Sequence, residues 1–159
     1  MTNRLMTAAA MLALGLAAGN AAAADQSPEF LNSARSLERG LPFSDAVRVG
    51  DLLFLSGQIG TAPGGMQVVP GGIKAESRQT LENIKATLEA NGYTLKDVVK
   101  CTVMLADISE WATFNEVYKS VFSPPFPARS AFGASGLALG ARVELECIAA
   151  GKPSKPAAK

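Results

Sequence analysis

The sequence contains no histidine, and that absence removes more chemistry than any other feature of the composition. Nucleophilic catalysis of the Ser-His-Asp or Cys-His kind has no base to work with. Cysteine is scarce too, with two in the chain, at Cys101 and Cys147. A zinc or iron–sulfur site would have almost no ligands to draw on. Charge of either sign is barely in excess, with 15 Lys and Arg against 14 Asp and Glu, and no basic run. The electrostatic footprint of a nucleic-acid binder is missing. After residue 24 no apolar run is long enough to span a membrane. What remains for chemistry is carboxylates, arginine, hydroxyls and backbone.

The first 24 residues read as a segment apart from the fold. Arg4 supplies a positive start, Met6 to Ala18 is apolar, and Ala22-Ala23-Ala24 offers a small-residue cleavage site before Asp25. A cleaved secretory signal is expected, hence a periplasmic or secreted protein. Removing 24 of the 159 residues leaves enough chain for one compact domain and not two. Arg4 leaves with the signal, taking one positive charge, so the formal net charge of +1 becomes zero.

Residues 25–40 are polar and mixed, and a loose lead-in is expected there. The domain proper then runs over 41–151, with a disordered Lys/Pro/Ala tail over 152–159. Gly40 to Ser44 forms a turn and Ala46 to Val49 a short strand. Gly50-Asp51 reverses the chain into Leu52 to Ser56, a buried-type strand that ends at Gly57 to Gly60. Thr61 to Gly72 is a Gly/Pro-rich loop. Ile73 to Asn91 is helical, with Leu81, Ile84 and Leu88 on the buried face and Glu76, Arg78, Glu82, Lys85 and Glu89 elsewhere. Asn91-Gly92 gives a left-handed stop. Val98 to Leu105 is a strand with Val99, Cys101, Val103 and Leu105 on one face and Lys100, Thr102 and Met104 on the other. A helix follows, capped by Asp107 or Ser109 and carrying Glu110 in its first turn. Its stripe is Phe114, Val117, Tyr118, Val121 and Phe122. A strand through Arg129, a flexible link over Gly133 to Gly140, and a strand over Val143 to Ala149 complete the chain.

The order is β-β-α-β-α-β-β, an α+β pattern with both helices on one sheet face. The other face is chemically mixed, with Lys100, Thr102 and Met104 beside Glu144, Glu146 and Ile148. Such a face suits a subunit contact better than open water, so a symmetric oligomer is expected. Cys101 and Cys147 share the parity of core positions. A disulfide is open to them in an oxidising compartment, but free buried thiols are the reading preferred here.

Two polar positions stand out. Pro127 starts an extended segment that carries Arg129, whose planar fork suits a carboxylate. Glu144 alternates with apolar neighbours, and a carboxylate near an anion-binding arginine can hold a water and move its proton. Taken alone, each is better read as an exposed side chain on a solvated surface.

Their surroundings decide between the readings. Pro42-Phe43-Ser44-Asp45-Ala46-Val47, Ser56-Gly57-Gln58-Ile59, Phe114-Asn115 with Tyr118, Phe126-Pro127-Ala128-Arg129-Ser130 and Val143-Glu144-Leu145-Glu146 resemble the YjgF/RidA family in order and spacing. The resemblance runs from about Leu41 to Ala150. It implies a chorismate-mutase-like fold assembled as a homotrimer, with sites in the clefts between subunits. It implies an imine/enamine deaminase that hydrolyses 2-imino or enamino acids to 2-keto acids and ammonia without a metal or cofactor. Arg129 would bind the substrate carboxylate and Glu144 would handle the attacking water. Gly57 would let backbone approach the ligand, while Asn115 and Phe43 would line the cleft. A ribonuclease role also attached to the family sits poorly with zero net charge and no histidine. Two positions depart from the family pattern. Active members usually carry tyrosine where this chain has Phe43, and often cysteine where it has Ala131. The alternative is a non-catalytic trimer that holds small carboxylates at Arg129; Phe43 favours it, and Glu144 favours the enzyme.

Overall fold

The structure, a computed structural model, describes residues 27–154; the expected signal segment and residues 155–159 lie outside them. The chain lays down β1 (Glu29–Leu31), α1 (Ala34–Glu38), β2 (Ala46–Val49), β3 (Leu52–Leu55), β4 (Gln58–Ile59), α2 (Gly72–Ala90), β5 (Val98–Leu105), α3 (Trp111–Val121), β6 (Ala128–Gly133) and β7 (Val143–Ala150). One mixed sheet results, ordered β1-β2-β3-β7-β5-β6, with β4 pairing alongside β7. β5 and β6 run parallel, joined through α3, and the other pairs are antiparallel. This is the α+β architecture read from the sequence.

Hydrophobic period places the two long helices. Leu81, Ile84 and Leu88 of α2 are fully buried, as is Phe114 of α3, with Val117 and Tyr118 nearly so. Each buried aliphatic side chain of that size contributes on the order of 1.5–3 kcal/mol. They pack on the sheet face formed by Val103 and Leu105 of β5 with Val143 and Leu145 of β7. Gly92, at φ +83°, makes the left-handed turn that ends α2.

Several expectations are corrected. The lead-in is not loose throughout: β1 pairs with β2, Phe30 opposite Val47, and Ser33 caps the short α1. The tail is held as far as Ser154, whose backbone N–H donates to Gly92 O at 2.8 Å. β4 is a strand where the sequence shows only the end of β3, because two residues leave no pattern to read. Val98 rather than Val99 is buried, since the β5–β7 register shifts between Val98 and Lys100 and turns Val99 outward. The β3 segment is apolar throughout, yet only Leu53 and Leu55 are buried, while Leu52 and Phe54 stand about 40 % exposed. They belong to the sheet face without the long helices, together with Met104, Phe132 and Ile148.

The cysteines are joined, not free. Cys101 and Cys147 are direct partners across the antiparallel β5–β7 pair, with Cα atoms 4.1 Å apart, and form a fully buried disulfide. Shared parity was legible; the register that sets them opposite each other was not. Among the described residues no helix is long and apolar enough to cross a membrane.

Candidate active site

Arg129 sits on the edge strand β6, in register with Cys101, so its side chain leaves the sheet on the helix side. There it meets α3. Its Nη2 donates to Asn115 Oδ1 at 2.6 Å, and its guanidinium carbon lies 4.6 Å from the Tyr118 ring centroid and 5.6 Å from that of Phe114. Helical spacing brings Phe114, Asn115 and Tyr118 to this one patch. Two rings beneath the guanidinium favour the cation by about 0.5–2 kcal/mol and fix its plane. Burial lifts the Tyr118 phenol above its usual pKa, and the Arg129 charge offsets part of the rise. A cleft of about 410 Å³ opens here, lined by Ile108, Trp111, Arg129 and Ala131. A fork anchored at one nitrogen and stacked on one face keeps donors for a carboxylate.

Glu144 faces the other way. It lies between the buried Val143 and Leu145 on β7, so its side chain points away from α2 and α3. Ile59 of β4 is its register partner. Gly57 precedes β4 and lies so near that a Cβ placed on it would overlap Glu144 Oε1. Here glycine is needed for close approach, since its φ is not in the left-handed region. Ser56 then ties in the loop carrying Phe43: its Oγ donates to Ser44 O at 2.6 Å and its N–H to Asp45 O at 3.1 Å. Phe43, half exposed, lines a separate cleft of about 420 Å³ with Phe30, Leu37 and Leu41.

The predicted site residues therefore fall into two groups. Asn115 joins Arg129, and Gly57 joins Glu144 with Phe43 a short chain away. The two groups are set on opposite faces of one sheet.

The sequence model of the family described as Endoribonuclease L-PSP matches residues 34–151. The chain belongs to this family, the YjgF/RidA family. It is 46 % identical over 112 residues to the 2-iminobutanoate/2-iminopropanoate deaminase of Bos taurus, covering 70 % of this chain and 82 % of that one. With the human protein of the same name it shares 44 % over 108 residues, 68 % of this chain and 79 % of the other. Among solved structures, RidA from the Antarctic bacterium Psychrobacter superposes with a TM-score of 0.68 at 41 % identity, covering 76 % of this chain and 93 % of that one. A yeast protein superposes with a TM-score of 0.71 at 37 % identity, covering 79 % and 100 %.

Within this RidA-family chain, sequence reasoning missed the residues that brace the two groups. Glu76, assigned to an outer face of α2, is buried and accepts the Arg142 backbone N–H at 2.8 Å, two residues before Glu144. Glu110, expected to favour the start of α3 electrostatically, instead pairs with the Arg142 guanidinium in a fork. That pairing raises the Arg142 pKa through hydrogen bonds and charge. The Asp45 carboxylate accepts from Ser33 N at 2.7 Å and Ser36 Oγ at 2.5 Å, which fastens α1 to the Phe43 loop. Serines at 33 and 36 were the one available signal, as a helix start. Among the described residues no cluster of three or more His, Cys, Asp or Glu is placed to hold a metal ion.

Proposed function

We propose that this protein hydrolyses small 2-imino and enamino acids to 2-keto acids and ammonia, at sites completed between the subunits of a homotrimer. The observation that carries the reading is Arg129, held by Asn115 and stacked on Tyr118 at the mouth of a cleft. That arrangement suits bidentate capture of a carboxylate. Its similarity to the bovine and human deaminases supports the chemistry assigned to it.

The steps need only groups of this chain. Arg129 holds the substrate carboxylate and so fixes the adjacent C=N carbon. Glu144 of a neighbouring copy takes a proton from water as the water oxygen bonds to that carbon and the C=N electron pair moves to nitrogen, and it returns that proton to the nitrogen to give the carbinolamine. The carbinolamine hydroxyl then gives its proton to Glu144 as the C=O bond forms and the C–N bond breaks, and Glu144 passes that proton to the departing nitrogen, which leaves as ammonia. Water and imine are consumed; ammonia and keto acid are formed. General-base help of this kind supplies about 10²–10⁴ in rate.

A binding-only reading rests on Phe43, which lacks a hydroxyl to place substrate or water. The deciding experiment supplies fresh imine from an amino-acid oxidase and times ammonia release. Faster release than the spontaneous reaction is expected. Glu144→Gln should abolish most of it while keto-acid binding survives, and Arg129→Lys should weaken use of the imine about 10- to 100-fold. No acceleration with any imino acid leaves carboxylate binding as the function.

We place the mature protein in the periplasm or outside the cell. The apolar N-terminal segment supports export, and a buried disulfide is what an oxidising compartment sustains. Mass spectrometry of the exported protein should find a chain beginning at Asp25. A chain still beginning near Met1 would overturn the localisation. Nucleic acid is given no part, in keeping with the formal neutrality of the mature chain.

A further inference from the structure

The cleft beside Arg129 is more than a carboxylate grip. Positions 129, 131 and 133 share one face of β6, each about 6.5 Å beyond the last. Ala131 leaves that face open next to the arginine. Farther along, Ile108 packs directly over Gly133, where an added Cβ would lie 3.3 Å from Ile108 Cβ. Trp111 closes the same cleft. The fork and the apolar wall thus line one cleft.

The wall is held rather than left loose. Asp107 Oδ1 accepts the Ser109 N–H at 2.9 Å, fixing the 3-10 turn Ile108–Glu110, and Glu110 is gripped by Arg142. Ile108 and Trp111 nonetheless remain 52 % and 46 % exposed. One exposed apolar residue means little, but two braced on a cleft beside an anion-binding group make a surface that gains by being covered.

Resting on the deaminase reading above, we infer that the preferred substrates carry bulky aliphatic or aromatic side chains, with Trp111 and Ile108 as the specificity wall and Ala131 as the opening that admits them. A 2-imino acid held by its carboxylate at Arg129 lays its side chain along β6 against that wall.

The test compares kcat/KM for imines made by oxidising leucine and alanine, 2-imino-4-methylpentanoate and 2-iminopropanoate. The leucine-derived imine is expected to be favoured by about tenfold or more. In Trp111→Ala that ratio should collapse towards one, and Ala131→Leu, which fills the cleft, should lower it as well. A wild-type ratio at or below one, or a ratio unchanged in Trp111→Ala, overturns the inference. Trp111 is the sole tryptophan of the chain, so its fluorescence supplies a readout independent of turnover. Titration should show 4-methyl-2-oxopentanoate binding about tenfold more tightly than pyruvate. If no imine is hydrolysed, the deaminase reading fails alone and this titration decides the wall; equal affinity for the two keto acids overturns it.

Discussion

Arg129 and Glu144 leave the same sheet from opposite faces: Arg129 lies against Tyr118 on the helix side, while Glu144 emerges between buried Val143 and Leu145 on the other. Neither backbone can turn its side chain through the sheet to meet the other. A site using both requires two copies of the chain, and the apolar side chains left exposed around Glu144, Phe54 and Phe132 among them, provide a surface on which copies would pack.

Subunit complementation tests this directly. Arg129→Ala and Glu144→Gln homo-oligomers should each be inactive. Mixing them under conditions of subunit exchange should restore about a quarter of the wild-type rate, the share of interfaces that pair an intact Arg129 with an intact Glu144. No recovery after verified exchange would place both residues in one protomer's site or remove one of them from it. Light scattering should give a trimer, and a monomer at micromolar concentration would remove the shared site altogether.

Gly57→Ala should separate fold from chemistry. The new methyl overlaps the Glu144 carboxylate, the mobile end of a flexible side chain, so the carboxylate moves and the backbone need not. Thermal stability should change little. Turnover should fall about tenfold or more, with keto-acid affinity at Arg129 retained, because a displaced base acts on the chemical step. Wild-type turnover in Gly57→Ala would show that the observed Glu144 position is unimportant to catalysis.

The disulfide closes a separation of 46 residues and clamps β5 to β7 beneath both helices. On the chain-entropy account such a link contributes about 4 kcal/mol, within a general range of about 2–5. Denaturing thiol titration without reductant should therefore find no free thiol, and the Cys101→Ala, Cys147→Ala double variant should lose stability of that order in urea unfolding. Two titratable thiols in the exported protein would refute the link.

How legible all this was depended on whether one strand's pattern sufficed. The long helices were plain because Leu81, Ile84 and Leu88, or Phe114, Val117 and Tyr118, repeat at helical spacing within one segment. Pairing was not. Cys101 opposite Cys147, Ile59 opposite Glu144 and the shift at Val98/Lys100 are relations between strands, set by register rather than by either sequence. Glu76 was misplaced for a related reason: a charged residue on a helix reads as solvated until its partner is known, and that partner is a backbone N–H 66 residues away. A site between subunits was implied by the resemblance, but the sheet face that carries Arg129 was not legible, because β6 is an edge strand with weak alternation and exposure on both sides.

Phe43 gives the last prediction. The Phe43 loop is fastened from both sides, by Ser56 to the turn before Gly57 and by Asp45 to α1. The ring is thus held in place, yet 53 % of the residue remains open. Phe43→Tyr adds a hydroxyl at an exposed edge rather than inside the core, so stability should shift by less than about 0.5 kcal/mol. If the ring faces substrate across the subunit boundary, the new hydroxyl can order the attacking water or the substrate. One such hydrogen bond is worth about 0.5–1.5 kcal/mol, which is a rise of about 2- to 10-fold in kcat/KM. The gain should disappear in the background of Glu144→Gln, where there is no activated water left to place. An unchanged rate would mean that the hydroxyl usual in active relatives has no role here, and that Phe43 serves the cleft it shares with Phe30 and Leu37 instead.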